Sequence, residues 1–203
     1  MAEEAQPFVD ALPERTGAQP PTLPGSAQAW SLQLPGGERE LILVRSGIGL
    51  VAAASALAAV LTQVRPGTVV SAGTTGGLGR QVQVGDVCAS ANLAYTDADA
   101  TAFGYVRGQT PGQPETFAGD PALLERLEQV GPEALRGATA SSGSARLHVG
   151  RMLAGNSFVT AANVTDTREV FPTALSTDME STALAQVAAS AGIPFVSVRG
   201  VSD

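Results

Sequence analysis

Lysine is missing from this 203-residue sequence, and all 12 of its basic residues are arginines. Without lysine the chain cannot form a Schiff base, anchor pyridoxal phosphate or build the Gly-Lys-Ser/Thr loop that binds nucleotides. Histidine and cysteine each occur once, as His148 and Cys88. One of each cannot form a disulfide framework or a Cys/His zinc site within a single chain. We therefore expect no metal site and a reducing, cytoplasmic environment.

Positive charge is also scarce, since 19 acidic side chains outnumber the 12 basic ones and leave a net charge of −7. Unspecialised binding to nucleic acid or to an anionic membrane requires a basic surface. No apolar run reaches the ~18 residues that suggest a membrane-spanning helix, and the opening MAEEAQPFVD lacks the features of a signal peptide. The sequence thus predicts a soluble protein whose partners are small molecules or further copies of itself.

Hydrophobic residues make up 44% of the chain, and we expect residues 1–203 to form one domain around a full-sized core. Helical spacing of apolar residues alternates with short apolar runs, which predicts an α/β protein. The expected architecture is a three-layer sandwich, with a mixed central sheet flanked by helices. Gly36 and Gly37 are expected to form a two-residue hairpin turn. The predicted helices are residues 3–12, 50–64, 120–130 and 180–191, and the predicted strands are residues 29–35, 39–45, 68–72, 86–93, 146–154 and 195–201.

Two glycine-rich segments, residues 46–49 and 73–77, lie before a predicted helix and after a predicted strand. Such segments let backbone N–H groups approach a polar ligand, but each is equally compatible with a tight turn. Carboxylates occur where loops leave strands, at residues 178–180 and 202–203, and also at residues 3–4. The acids at 178 and 180 precede a helix, where helix capping is as good an explanation as ligand binding.

Six segments occur in the order found in the purine nucleoside phosphorylase superfamily. Together they resemble its 5′-methylthioadenosine/S-adenosylhomocysteine nucleosidase branch. The resemblance covers nearly the whole chain, and residues 97–114 are specific to this branch. The segments are SGIG at 46–49, AGTTGGL at 72–78, VGDV at 84–87, DADATAFGYVRGQTPGQP at 97–114, DMESTA at 178–183 and VRGVSD at 198–203.

The resemblance implies a nucleoside phosphorylase-like fold and a hydrolase of methionine salvage that needs no cofactor. Its substrates would be 5′-methylthioadenosine and S-adenosylhomocysteine, cleaved between adenine N9 and ribose C1′ to adenine and the 5-thioribose product. This bond breaks through an oxocarbenium-like sugar. The enzyme must therefore protonate the leaving base, stabilise the ribose cation and deliver water.

The resemblance implies the roles of individual residues, most of which lie in these motifs. Asp203 resembles the general acid that serves adenine N7, and a carboxyl removed from water can stay protonated near neutral pH. Glu4 resembles the glutamate that orients the attacking water, and Glu180 the acid that binds the ribose hydroxyls. The other substrate-binding residues that the resemblance implies are Ile48, Thr74, Thr75, Gly76, Phe158, Val159, Asp178, Met179 and Ser202.

The branch-specific segment contains Phe103, Tyr105 and Pro111. In the enzymes that this chain resembles, the segment reaches across a dimer interface and closes the 5′-alkylthio pocket of the partner. The resemblance therefore implies a homodimer that binds a small thio-nucleoside. It does not indicate which of the two nucleosides, 5′-methylthioadenosine or S-adenosylhomocysteine, is the preferred substrate.

Three other functions stay open. A purine nucleoside phosphorylase of the same fold binds phosphate where the hydrolases place water; hexameric phosphorylases carry an arginine where this chain has Ser71, although Arg45 and Arg80 lie nearby in sequence. A futalosine hydrolase shares the catalytic acids and differs in the 5′ pocket. A non-catalytic nucleoside-binding domain could dispense with Asp203 and Glu4, both of which are present.

The first strand and last helix of the family have no counterpart before MAEEA or after Asp203 in this sequence. A missing strand would leave its neighbour unpaired, and terminal residues are usually mobile unless held by other contacts. We therefore expect these 203 residues to be weakly active or inactive.

Overall fold

A computed structural model describes residues 1–139 and 142–203 of the chain. Every helix and strand predicted from the sequence is present, with shifts at the ends. The helices are α1 (Ala2–Ala11), α2 (Leu50–Leu61), α3 (Pro121–Ala138), α4 (Val164–Val170) and α5 (Ser181–Ser190). The strands are β1 (Gln28–Gln33), β2 (Glu40–Arg45), β3 (Val69–Gly77), β4 (Val87–Tyr95), β5 (Phe117–Ala118), β6 (Leu147–Ala154), β7 (Ala174–Asp178) and β8 (Phe195–Val201).

The predicted hairpin is a separate two-stranded sheet, in which β1 and β2 pair antiparallel. Gly36 and Gly37 have φ values of 91° and 79°, a region where glycine has no Cβ to clash. The turn is longer than the two residues predicted. The ladder ends with a hydrogen bond from Leu34 N–H to Arg39 C=O, so residues 35–38 form the connection.

The main sheet has the strand order β5-β4-β6-β7-β3-β8 and is mixed, as predicted. β3 runs parallel to β8, whereas β7 is antiparallel to β3. A further antiparallel pairing joins β4 to β8 and places Val87 opposite Gly200. This pairing closes β4, β6, β7, β3 and β8 into a ring. The sequence pattern does not predict such a ring, because it carries no information on which distant strands pair.

Helices cover this sheet. α5 packs against α2 and against β3, β4, β6 and β8, and it buries a face of small side chains that includes Ala183, Ala185 and Ala188. α3 packs against β4, β6 and β8; Asp120 caps it as predicted, accepting from Leu123 N–H at 3.0 Å. No helix in the described ranges is both long enough and apolar enough to cross a membrane.

The core contains Cys88, Leu93 and Met152, each fully buried. Burial raises the pKa of the Cys88 thiol to about 11, above its ordinary value. A thiol with so high a pKa stays protonated and unreactive. Cys88 is therefore the small buried apolar residue that the sequence predicts.

β3 continues through residues 73–77, where the sequence suggests a turn or loop. The glycines are held extended by ladders on both sides, with Gly76 opposite Thr177 and Thr75 opposite Val201. α4 and β7 occupy a stretch predicted to be irregular. All five residues of β7 are buried, yet three are polar (Ser-Thr-Asp), so no hydrophobic run marks it as a strand.

The outer edge of β3 faces a cavity. The backbone N–H of Thr74 donates to Glu4 and therefore points away from β8. Because alternate residues of a strand point the same way, the N–H groups of Val70 and Ala72 also point away from β8. Over residues 69–75 no described strand other than β8 pairs with β3. Residues of α1, β2 and α2 line the cavity opposite this edge.

Candidate active site

A cavity of about 1180 Å³ follows the edge of β3 from Val69 to Gly76 and reaches the C-terminal ends of the parallel strands β3 and β8. In α/β proteins ligands commonly bind at this end of parallel strands. All the residues implied as catalytic or substrate-binding line this cavity. They are Glu4, Ile48, Thr74, Thr75, Gly76, Phe158, Val159, Asp178, Met179, Glu180, Ser202 and Asp203.

Glu4 reaches the cavity from the first turn of α1. Its Oε1 accepts two hydrogen bonds from Thr74, at 2.7 Å from the backbone N–H and 2.9 Å from the hydroxyl. A Cβ atom at position 73 would lie only 2.7 Å from this oxygen, so Gly73 makes room for the carboxylate. The motif at 72–78 thus holds Glu4 through both its glycine and its threonine.

The Glu4 carboxylate is ionised more readily than an ordinary glutamate. Burial opposes ionisation, but contact with the terminal ammonium of Met1 and the two bonds from Thr74 outweigh it and lower the pKa of Glu4. The side chain is 18% exposed. A partly buried carboxylate that stays charged near neutral pH can accept a proton from water.

Glu180 connects two elements at the cavity wall. Its Oε1 accepts from Gly49 N–H at the start of α2 at 2.9 Å, and its Oε2 lies 3.2 Å from Nη1 of Arg199. Gly49 has a φ of 102°, which suits glycine. The carboxylate is favoured at this helix N-terminus by the helix dipole. Its orientation is therefore fixed from two sides.

Asp178 lines the cavity but its carboxylate is occupied within the protein. Its Oδ1 accepts from the backbone N–H groups of Glu180 and Ser181, at 2.8 and 2.7 Å. Its Oδ2 is 3.4 Å from Nε of Arg199, and the side chain is only 1% exposed. Oδ1 therefore caps α5, whereas Oδ2 is buried and makes no hydrogen bond within the described residues.

Asp203 follows β8 and is exposed, whereas the resemblance implies a carboxyl removed from water. Its backbone C=O accepts from Gly77 N–H at 2.8 Å, and its Oδ1 accepts from the Ser202 hydroxyl at 2.8 Å. Ser202 N–H in turn donates to Thr75 C=O. β3 thus places Asp203 at the cavity through backbone hydrogen bonds that leave its carboxyl exposed.

Comparison with known proteins identifies the family. A family model described as the phosphorylase superfamily matches residues 1–203. A 5′-methylthioadenosine/S-adenosylhomocysteine nucleosidase of Haemophilus influenzae (strain PittEE) is 33% identical over 204 residues, covering 100% of this chain and 82% of that protein. The chain belongs to this nucleosidase family. The nucleosidase of Staphylococcus aureus (strain JH9) is 36% identical over 167 residues, covering 82% of the chain and 69% of that protein.

Solved structures of the nucleosidase family share the fold. The enzyme from Neisseria meningitidis in complex with methylthio-immucillin-A superimposes with a TM-score of 0.87 at 32% identity, covering 100% of this chain and 82% of that one. The S-adenosylhomocysteine nucleosidase of Streptococcus pyogenes in complex with 5-methylthiotubericidin gives a TM-score of 0.85 at 32% identity, covering 100% and 80%. The predicted nucleoside phosphorylase-like architecture is thereby confirmed.

Residues 97–114, which the resemblance assigns to the nucleosidase branch, lie outside the cavity. Phe103 is 82% exposed, Pro111 is exposed, and neither these two nor Tyr105 lines the cavity. Phe158 does line it and is 72% exposed. In the single chain, therefore, Phe158 lines the cavity, whereas Phe103 faces solvent.

Arg199 is a site residue that the sequence analysis does not single out. It is 5% exposed, and its guanidinium donates to Thr74 C=O, to the hydroxyls of Ser71 and Ser181, and to Glu180. The residue lies within the VRGVSD motif of the nucleosidase family. It follows Val198 in β8, a strand that is mainly apolar. A basic residue inside an otherwise apolar strand is the signal that could have identified it.

Replacing Arg199 with Met is expected to lower the free energy of unfolding by about 3–5 kcal/mol, because it leaves the buried carboxylate of Asp178 without its cation. Denaturant unfolding with an unchanged m value measures this loss. Arg107→Met removes an exposed ion pair with Asp99 and serves as the matched control, with little change expected. A loss below about 1 kcal/mol in Arg199→Met would contradict the assigned contacts.

Within residues 1–139 and 142–203, no group of three or more His, Cys, Asp or Glu side chains is placed to hold a metal ion. His148, the single histidine, is hydrogen-bonded through Nε2 to Asp86 Oδ2 at 2.7 Å, away from the cavity lining. The charged and hydroxyl side chains that line the cavity are carboxylates, hydroxyls and four guanidinium groups, of which only that of Arg199 is buried.

Proposed function

We propose that this chain hydrolyses the N-glycosidic bond of 5′-methylthioadenosine and S-adenosylhomocysteine, releasing adenine and the 5-thioribose product. The observation that carries the proposal is that Glu4 and Asp203 line the same cavity. Both are hydrogen-bonded to β3, Glu4 to Thr74 and Asp203 to Gly77. A base for water and an acid for the leaving group are the two groups that glycosidic hydrolysis requires. Family membership and the inhibitor complexes of relatives support the substrate class.

Glu4 would orient and deprotonate the attacking water. Its Oε1 accepts both bonds from Thr74 and its Oε2 contacts the terminal ammonium of Met1, so a water that donates its proton to Oε2 would take the place of this ammonium. The proton moves to Glu4 as the water oxygen bonds to ribose C1′. The negative charge of the carboxylate also stabilises the cationic sugar that forms as the bond to adenine breaks.

Asp203 would supply the proton to the leaving base. The bond between C1′ and N9 breaks with its electron pair going to adenine, and a proton placed on N7 neutralises that charge. A purine stacked on Phe158 would cover Asp203 and remove its carboxyl from water. Desolvation favours the protonated acid, which is the form able to donate.

The ribose would bind between Glu180 and Met179. Glu180 carries its charge in a fixed orientation set by Gly49 and Arg199, so it can accept hydrogen bonds from two neighbouring hydroxyls. Fixing the sugar before reaction removes much of the entropic cost of the reactive geometry. Asp178 would act indirectly, by capping α5 and holding the backbone of Glu180.

A phosphorylase is the second candidate, because Arg45 also lines the cavity. Two observations weigh against it. The donors that a phosphate would use at the glycine-rich strand are occupied, since both polar groups of Thr74 bind Glu4. Where hexameric phosphorylases carry an arginine, this chain has Ser71, and its hydroxyl accepts a hydrogen bond from Arg199. A second anion beside Glu4 would also be repelled by its charge.

Adenine release from 5′-methylthioadenosine, measured with and without inorganic phosphate, tests the proposal. The Haemophilus influenzae relative provides the positive control. We expect release that does not depend on phosphate and is slower than release by the relative, in keeping with the weak activity expected of these 203 residues. Release only with phosphate would establish a phosphorylase, and nucleoside binding without release would establish a binding domain.

We propose further that the chain acts as a homodimer in which residues 103–111 complete the 5′ pocket of the partner. Phe103→Ser is expected to weaken dimerisation about tenfold or more and to raise KM for 5′-methylthioadenosine, because a largely exposed aromatic is a typical interface anchor. Sedimentation velocity and initial rates measure the two effects. Val130→Ser, on the surface of α3, is the control. A dimer of unchanged affinity in Phe103→Ser would refute this arrangement.

A further inference from the structure

The turn between β3 and β4 holds the last residue of β8. Gly85 N–H donates to Val201 C=O at 2.9 Å, and Val201 N–H donates to Asp86 C=O at 2.8 Å. Val201 is buried, and Ser202 and Asp203 follow it directly. Because both backbone polar groups of Val201 bind this turn, the turn helps to set the direction in which the chain leaves β8, together with the bonds of Ser202 and Asp203 to β3.

The side chain of Asp86 fixes that turn to the rest of the sheet. Its Oδ2 accepts from Gln83 N–H at 3.1 Å and from Nε2 of His148 at 2.7 Å, and its Oδ1 accepts from Arg146 N–H at 2.9 Å. Gln83 belongs to the turn, whereas Arg146 and His148 lie at the start of β6. The carboxylate therefore ties the turn to a different strand.

Asp86 is only 4% exposed, and its partners keep it charged. Burial opposes ionisation, but the hydrogen bonds from His148, Arg146 and Gln83 outweigh it and lower the pKa of Asp86. Three donors converge on two oxygens, so no neutral side chain of the same size can satisfy them all. The arrangement is thus specific to a carboxylate.

We propose that Asp86, with His148 as its partner, is a positioning residue for Asp203. It lines no part of the cavity and acts through Val201, two residues before the acid. The inference rests on the proposed function, in which Asp203 donates the proton. A general acid must lie within hydrogen-bond distance of its target, and a displacement of about 1 Å can reduce a rate about 100-fold.

Asp86→Asn is expected to reduce kcat for adenine release about 10- to 100-fold while KM changes less than about threefold. KM is spared because Glu180 and Phe158 bind substrate from other elements. Hydrogen exchange of the Val201 amide should become faster, since the turn that accepts its bond is loosened. Asp120→Asn, which removes a carboxylate cap beside the opposite end of β8, is the matched control and should leave kcat unchanged.

The partner residue gives a second test that does not depend on Asp86→Asn folding. His148→Gln keeps an N–H donor for Asp86, whereas His148→Leu removes it. We expect kcat near that of the unsubstituted chain in His148→Gln and a several-fold lower kcat in His148→Leu. A purely structural role would lower the melting temperature without this difference in kcat below the unfolding range.

The outcomes separate the two proposals. If the unsubstituted chain releases no adenine, the proposed function fails. Hydrogen exchange of the Val201 amide in the variants then tests alone whether Asp86 positions the end of β8. If the unsubstituted chain turns over, kcat values equal to it in Asp86→Asn and His148→Leu overturn the positioning role. Unchanged exchange at Val201 in both variants overturns it in either case.

Discussion

Asp203→Asn is expected to reduce the rate of adenine release by about 10²- to 10⁴-fold, the range that a general acid contributes. Asparagine keeps the shape of the side chain and can still hydrogen-bond to adenine, but it has no proton to transfer. The backbone contacts of Asp203 to Gly77, and of Ser202 to Thr75, do not involve the carboxyl and should persist. The substitution therefore tests the chemistry while the geometry is retained.

Single-turnover release of adenine measures this effect, and the affinity for adenine, measured by calorimetry, should change only a few-fold. Asp10→Asn is the control, since Asp10 is an exposed carboxylate on α1 that accepts from Gln6 and does not line the cavity. A rate for Asp203→Asn within about threefold of the unsubstituted chain would remove Asp203 from the role of acid. Equal losses in both variants would point to an effect of net charge alone.

Local sequence signals predicted the peripheral elements well. The helix cap at Asp120 followed by Pro121 defined the start of α3, and the spacing of apolar residues defined α2 to within three residues at its end. Both signals come from contacts between residues close in sequence. For the same reason they gave no indication that β4 pairs with β8, which depends on chain closure over more than a hundred residues.

The site illustrates the same division. The catalytic and substrate-binding residues implied by the resemblance line one cavity, except for Phe103, Tyr105 and Pro111, but the resemblance did not predict what holds them. Glu180 is bound by Gly49, 131 positions away, and Arg199 by Ser71, 128 positions away. Asp178 and Glu180, two residues apart, looked equivalent in sequence; only the structure separates a buried cap from a carboxylate that faces the cavity.

The position of Glu4 gives the other large expected effect. Glu4→Gln should reduce adenine release by about 10²- to 10⁴-fold, because an amide cannot accept the proton of water. The amide oxygen can still accept both bonds from Thr74, so binding of the nucleoside should persist. Glu3→Gln, one residue earlier and exposed, is the matched control and should retain full activity.

The pH dependence of the same variant adds an independent check. The pKa of Glu4 is lowered in the folded chain, so its charge stabilises the fold above the ordinary glutamate pKa of about 4.3, and this stabilisation is lost as the pH falls through the lowered value. The melting temperature of the unsubstituted chain should therefore exceed that of Glu4→Gln near neutral pH, and the difference should shrink in acid. A difference that is constant across this range would show that Glu4 is not held as an ion, and a carboxyl that is not ionised could not serve as the base for water.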